Sequence, residues 1–265
     1  MGTIEAASPG MGIPAAAAPA AMPNLFVVPA YNEAANLPSL FRDLEARPGL
    51  FPDGSSLIVV DDGSAYETAA VVSAYAGSLP VQLVRLDENG GPGAAFRAGF
   101  LAALERAGDD SLVVTMEADN TSDLDAVPRM IERAREGADV VLASWVMHNV
   151  AAPRRVLSAG AALFIRGLLG VEAKTVSSFL RVYRTSALRG AHDRYGEGLI
   201  RESGFACKAE LLAKFASLGA RIEEVPVDLD CSRRVGKSNM PIFRTIFAYW
   251  RMAVRQRLAR GAAPA

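Results

Sequence analysis

The chain has 265 residues, 51% of them hydrophobic and 22% charged, which excludes a disordered or collagen-like polymer and fits one large α/β domain with extensions. Two cysteines, Cys207 and Cys231, and two histidines, His148 and His192, are too few for a disulfide framework or a Cys/His zinc site, so any metal is expected on carboxylates. The net charge of −1 hides an asymmetry: no acidic residue follows Asp230, while Arg233, Arg234, Lys237, Arg244, Arg251, Arg255, Arg257 and Arg260 do.

Residues 1–23 are mostly Ala, Gly and Pro with the single charge Glu5, and they read as a disordered leader without the basic start of a signal peptide. From Asn24 the pattern alternates between apolar runs and amphipathic stretches. The runs are Leu25–Val28, Leu57–Val60, Val81–Leu86, Leu112–Met116 and Val140–Ala143; the helical stretches between them are Leu37–Arg47, Thr68–Tyr75, Gly93–Arg106 and Leu124–Glu136. Continuous apolar strands separated by helices predict a mostly parallel sheet covered on both faces, with ligands at the carboxyl ends of the strands. Val156–Val171 is interrupted by Arg166 and reads as a buried or interfacial helix; no window is long and apolar enough to span a membrane.

The residues that follow each strand hold the candidate chemistry. Pro29-Ala30-Tyr31-Asn32-Glu33 ends the first strand, and Asn32 has the chemistry of a helix cap. Asp61-Asp62-Gly63-Ser64 ends the second, where paired acids either cap the next helix or accept hydrogen bonds from a ribose or base. Asn89 to Ala95, with Gly90, Gly91, Gly93 and further on Gly99, precedes or opens a helix, where glycines let a backbone approach a diphosphate. Phe96 breaks a GxGxxG match, and Cys231 breaks a Walker A match ending at Gly236-Lys237-Ser238. Glu117-Ala118-Asp119-Asn120-Thr121 ends the fourth strand; its two carboxylates either converge on a divalent ion or, with Thr121, Ser122 and Asp123, form a capping turn.

In order and spacing, Val28–Glu33, Val60–Ser64, Asn89–Ala95 and Glu117–Asp119 resemble the family 2 glycosyltransferases of the GT-A fold, over Asn24 to about Arg255. The second half is similar to the dolichol- and polyprenyl-phosphate sugar transferases of that family. Ser177–Arg184 resembles their Ser-Gly-Phe-Arg-type stretch with one extra residue, followed by Gly204-Phe205, Glu210-Leu211-Leu212, Glu224-Val225-Pro226 and Arg233 to Ser238. The resemblance implies an α/β, Rossmann-like GT-A domain over residues 24–230, and a basic acceptor loop with an amphipathic C-terminal helix over 231–265. It implies that Pro29, Tyr31 and Glu33 hold the base and Asp62 the nucleoside, with Asp61, Gly91, Gly93 and Ala118 also lining the donor site. Glu117 and Asp119 then hold Mg2+ or Mn2+. Three departures stand out: Glu117 where the family usually has Asp, Trp145 where the subgroup commonly has Arg, and Asn239 where it commonly has Lys. Arg154, Arg155, Arg234 or Lys237 are the expected substitutes for the missing cations, Asp119, Arg154, Arg155 and Arg233 are the expected catalytic residues, and Trp145 either stacks on a sugar or packs in the core.

The expected reaction is inverting displacement of a nucleoside diphosphate from a nucleotide sugar by a lipid phosphate. An anionic acceptor needs no strong base; a hydroxyl acceptor would, and Glu202 is the candidate. Within residues 241–265, Ile242, Phe243, Ile246, Phe247, Tyr249 and Trp250 are interleaved with five arginines, a composition suited to an anionic membrane surface and a cytoplasmic, peripheral location, with no nucleic-acid partner expected. A helix packed on the core with exposed arginines is the alternative. A nucleotide-dependent oxidoreductase would need glycines where Pro29 and Tyr31 stand. A non-catalytic nucleotide-sugar binder and a transferase with a soluble acceptor stay open.

Overall fold

The computed structural model describes residues 22–65, 67–146, 175–176 and 178–228, together with 167, 173 and 251. The expectations for most of the leader, for Val156–Val171 and for nearly all of 231–265 fall outside the described residues. Met22 and Pro23, assigned to the leader, belong to the fold: Met22 packs on the core, and the Pro23 carbonyl accepts from the Leu112 amide at 2.9 Å.

Among the described residues seven strands form one sheet: β1 (Asn24–Ala30), β2 (Ser56–Asp61), β3 (Val81–Arg85), β4 (Leu112–Thr115), β5 (Val140–Val146), β6 (Arg181–Arg184) and β7 (Ile222–Asp228). Their order is β3-β2-β1-β4-β6-β5-β7. β6 is antiparallel to β4 and β5, and every other pairing is parallel. The chain order reverses between β1 and β4, which opens a crevice at their carboxyl ends.

The period-2 alternation of the strands divides the core in two. Leu25, Val27, Ile58, Val60, Val113 and Leu142 face one layer; Phe26, Val28, Leu57, Val59, Val114 and Val141 face the other. Each fully buried aliphatic side chain of this kind contributes roughly 1.5–3 kcal/mol. The first layer is closed by α3 (Gly91–Arg106), α5 (Thr185–Tyr195) and α6 (Cys207–Ser217), the second by α1 (Leu37–Glu45) and α4 (Val127–Arg135), and α2 (Glu67–Ser73) precedes β3. A side chain at Gly99 would run into Val27 and Val60, so this glycine serves the close packing of α3 on β1 and β2 and not a phosphate.

The expected elements stand with small shifts at their ends. α1 stops at Glu45 and not Arg47, because Pro48 disfavours helical backbone at the residue before it; Arg47 sits at φ −126°, ψ 61°. The expected helix from Leu124 begins as a 3-10 turn, Leu124–Ala126, capped by the Asp123 carboxylate through the amides of Asp125 and Ala126. β6, β7, α5 and α6 are not among the expected elements, although Ser177–Arg184 ends in β6, Glu210-Leu211-Leu212 lies within α6 and Glu224-Val225-Pro226 within β7.

Candidate active site

The carboxyl ends of β1, β2 and β4 are joined by a continuous set of hydrogen bonds. Two of the turns depend on asparagines in the left-handed region, Asn32 at φ 56° and Asn120 at φ 64°, a conformation that Asn tolerates better than most residues. Asn32 is therefore not the expected helix cap: its amide donates to Ser64 Oγ at 2.8 Å, and α1 begins five residues later. The Ser64 amide in turn donates to Asp61 Oδ1 at 3.0 Å, tying the end of β1 to the turn after β2. The Glu33 amide donates to Thr68 Oγ1 at 3.1 Å, Asn36 Nδ2 donates to Glu33 Oε2 at 2.6 Å, and Asn120 Nδ2 donates to the Asn36 carbonyl at 3.1 Å.

Asp61 is fully buried and organises this turn, with Arg85 Nε 3.6 Å from its Oδ2. Its Oδ2 is buried and accepts no hydrogen bond among the described residues. Asp62 accepts from the Gly90 amide at 2.9 Å. Burial pushes its carboxyl above the ordinary range, while the amides of Gly90 and Gly91 pull the other way. The turn allows no side chain at position 63: Gly63 has φ +66°, and an added carbon would strike the backbone of Glu88 and Asn89. Pro29 is half-buried at the end of β1, whereas Tyr31 is 40% exposed, an unusual degree for an aromatic residue leaving a central strand.

The glycines at the start of α3 are used differently from the expectation. The Gly93 amide donates to the Ser203 carbonyl at 2.7 Å, and side chains at Gly91 and Gly93 would collide with Ser203 and Glu202. These glycines admit the backbone of 202–204 over the helix end, so the Gly93 amide is not available to a phosphate.

After β4, the Thr121 hydroxyl lies 2.6 Å from Asp119 Oδ1 and 3.3 Å from Glu117 Oε2, and the Thr121 amide donates to the same Asp119 oxygen at 3.1 Å. One side chain thus holds the two carboxylates together. Asp119 is 2% exposed, Glu117 is half-buried, and the Ala118 side chain packs into the core beneath them.

Opposite these acids stand two buried cations to which the sequence alone gives no role. Arg181, at the start of β6, donates to the carbonyls of Val176, Ser178 and Lys208. Lys208 points its Nζ over the rings of Phe179 and Phe205, 3.6 and 5.3 Å from their centres. Burial pushes the Lys208 ammonium down to about 8, against the pull of the Glu117 carboxylate. A signal for Lys208 existed: it shares the spacing of Leu211, Leu212 and Phe215, which marks the buried face of α6.

Glu210, also buried, accepts from the amides of Arg201 and Glu202 at 2.9 and 2.8 Å and pairs with Lys214 at 2.6 Å. Glu202 pairs in turn with Arg251 at 3.0 Å. Arg154, Arg155, Arg233, Arg234, Lys237 and Asn239 lie outside the described residues. The backbone of Trp145 belongs to β5, paired with Val227 of β7.

A model of glycosyl transferase family 2 matches residues 25–190. The chain is 31% identical over 223 residues to an undecaprenyl-phosphate mannosyltransferase of Micrococcus luteus, covering 82% of this chain and 86% of that protein. It is 29% identical to a polyprenol monophosphomannose synthase of Mycolicibacterium smegmatis, covering 89% of each. An undecaprenyl-phosphate 4-deoxy-4-formamido-L-arabinose transferase of Pseudomonas aeruginosa is 35% identical, but this chain spans only 53% of its length. Among solved structures, glucosyl-3-phosphoglycerate synthase from Mycobacterium tuberculosis, in complex with Mn2+, uridine diphosphate and phosphoglyceric acid, shares the fold with a TM-score of 0.62 at 22% identity, covering 92% of this chain and 80% of that one.

Proposed function

The chain belongs to glycosyl transferase family 2 and is a glycosyltransferase, and from that premise we propose that it moves a sugar from a nucleoside-diphosphate donor to a polyprenyl phosphate. The observation that carries the reading is the Thr121 hydroxyl held between Glu117 and Asp119 at the crevice. Two carboxylates gathered by one hydroxyl are hard oxygen donors within reach of a common Mg2+ or Mn2+. Donor phosphate oxygens and water would complete the shell, as is usual for Mg2+. When bound, such an ion neutralises charge developing on the leaving diphosphate.

The protein's own residues bind and orient. Tyr31 offers an exposed ring to the base beside Pro29, and Glu33 and Asp62 offer acceptors to the nucleoside. The fixed turns at Asn32, Gly63 and Asn120 hold these groups in place before the donor arrives, so little ordering is left to do on binding. β5 and β7 run parallel to β1 and therefore release the chain at the crevice side of the sheet. The segments released there carry Arg154 and Arg155 after β5 and Arg233 after β7, which supports their assignment to the two anionic phosphates.

A phosphate acceptor brings its own anionic nucleophile. Glu202, the base that a hydroxyl acceptor would require, already pairs with Arg251, which favours the phosphate reading. We assign the catalytic unit to residues 24–230 and a membrane-surface role to 231–265; among the described residues no helix is long and apolar enough to cross a membrane. Incubation with labelled GDP- and UDP-sugars and, in parallel, a short polyprenyl phosphate, the matching polyprenol and phosphoglycerate tests the acceptor. Product with the polyprenyl phosphate alone is expected; product only with phosphoglycerate or the alcohol overturns it. Sedimentation with anionic vesicles at low and high salt tests the surface role, with salt-weakened binding expected.

A further inference from the structure

The turn after β4 rests on an unusual choice of residue. Asn120 stands at φ +64°, a conformation that glycine adopts without steric cost, and the crevice does use glycine at position 63, where no side chain fits. At position 120 a side chain is kept and buried, only 6% exposed, whereas Asn32, the other left-handed asparagine of the crevice, is exposed. Burial leaves the Asn120 Oδ1 without a hydrogen-bond partner among the described residues, a cost that glycine would avoid. What the side chain contributes is therefore its amide N–H.

That N–H reaches from the end of β4 to the start of α1. Asn120 Nδ2 donates to the Asn36 carbonyl at 3.1 Å, across 84 positions in sequence. The same carbonyl accepts the first backbone bonds of α1, from the amides of Ser39 and Leu40, so the tie is made to a helix and not to a free loop. Asn36 Nδ2 in turn holds Glu33 Oε2 at 2.6 Å. On its other side Asn120 is flanked by Asp119 and by Thr121, whose amide and hydroxyl both bond Asp119 Oδ1. Glu33 and Asp119 are thus joined by one buried tie that lies outside the sheet.

We propose that Asn120 is a positioning residue that fixes the span between the nucleoside end and the diphosphate end of the donor site. The inference rests on the reading of Glu33 and Asp119 as donor contacts. A ligand that occupies both ends at once gains from a span set in advance, because less ordering is left to do on binding. A ligand that occupies one end alone gains nothing from it.

Three sets of affinities of the full-length protein separate these cases: UDP and GDP with Mn2+ by calorimetry, and uridine and guanosine, then pyrophosphate with Mn2+, by NMR titration. Asn120→Gly keeps the left-handed turn and removes the tie. It should bind the preferred nucleoside diphosphate about tenfold more weakly than wild type, while the nucleoside and pyrophosphate alone change by less than about twofold. Should the glycine variant not fold, Asn120→Asp also tolerates the turn but sets an oxygen against the Asn36 carbonyl, and the same selective loss is expected. An equal loss for the whole ligand and for its fragments makes Asn120 a residue of the fold alone and overturns the proposal, as does an unchanged affinity for the nucleoside diphosphate. Failure of the underlying reading looks different: Glu33→Ala and Asp119→Ala would then each bind the nucleoside diphosphate as wild type does.

Discussion

Along β1, β2 and β4 the crevice is bounded by side chains whose partners stand a few residues away, or in the turn after the next strand. Thr121 reaches Asp119, Ser64 reaches Asp61, and Asn36 reaches Glu33, each within four positions in sequence. Across the crevice, along β6 and α6, the bounding groups are charges held by the backbone of the second half of the chain. Arg181 depends on a carbonyl 27 residues away, and Glu210 fixes Arg201 and Glu202 from the far side of a loop. The acidic side is a set of turns built wholly from the first half of the chain and tied to one another by the Asn32–Ser64, Glu33–Thr68 and Asn120–Asn36 bonds. The cationic side exists only once the second half of the chain has packed, so chemistry on one side and stability on the other are expected to separate under mutation.

The sharpest break is on the acidic side. Asp119→Ala should lower transfer by about 10³-fold or more, since metal charge stabilisation amounts to several kcal/mol, while circular dichroism stays that of the wild type. Loss of helical signal in that variant would instead make Asp119 a structural residue of the Thr121 turn. The converse experiment is Glu210→Ala, which removes a buried carboxylate from Lys214 and from two amides at once. Its expected cost is about 3–5 kcal/mol of stability in urea denaturation, the range for breaking a buried pair. A stable Glu210→Ala protein with poor turnover would move Glu210 into the chemistry.

Smaller effects refine the contrast. Asp62→Ala should weaken nucleoside-diphosphate binding in calorimetry by roughly 1.5–3 kcal/mol, the value of hydrogen bonds to a charged group, with little change in unfolding. On the cationic side, burial raises the Cys207 thiol from an ordinary value of 9 to about 12. A raised thiol keeps its proton in the folded state while the unfolded chain loses it, so stability is full below pH 9 and falls as pH rises from there toward 12. At pH 10 the loss should be about 1.4 kcal/mol in urea denaturation, and Cys207→Ala should remove that slope. An equal slope in the alanine variant would place the alkaline loss on other groups.

The same contrast explains what could be read before the fold was known. Five strands, four helices and the acidic motifs of the first half were legible because each is a local pattern: an apolar run, a glycine turn, a pair of acids at a strand end. Asp61 and the α3 glycines read ambiguously for a shared reason. Their residue types suit both a ligand and a tight turn, and the use made of Gly91 and Gly93 is visible only once the backbone of 202–204 lies over them. β6 and β7 escaped because four- and seven-residue strands, the latter carrying Glu223 and Pro226, give a weak apolar signal. The inward position of Lys208 is legible only from its spacing with Leu211, Leu212 and Phe215.

The reversed direction of β6 bears on how such an enzyme can change over evolutionary time. β5 ends and β6 begins on the crevice side of the sheet, so the connection over residues 147–180 leaves and returns at one rim. Changes of length in such a connection cost little, because loop closure costs rise only slowly with length, up to its last residues, where Val176, Phe179 and Leu180 are buried and the carbonyls of Val176 and Ser178 hold Arg181. The acidic turns tied into β1, β2 and β4 have no such freedom. A replaced connection would then change one rim of the crevice while the turns on β1, β2 and β4 are inherited unchanged. In a chimera that carries the corresponding connection of a relative with a different acceptor, that inheritance becomes visible.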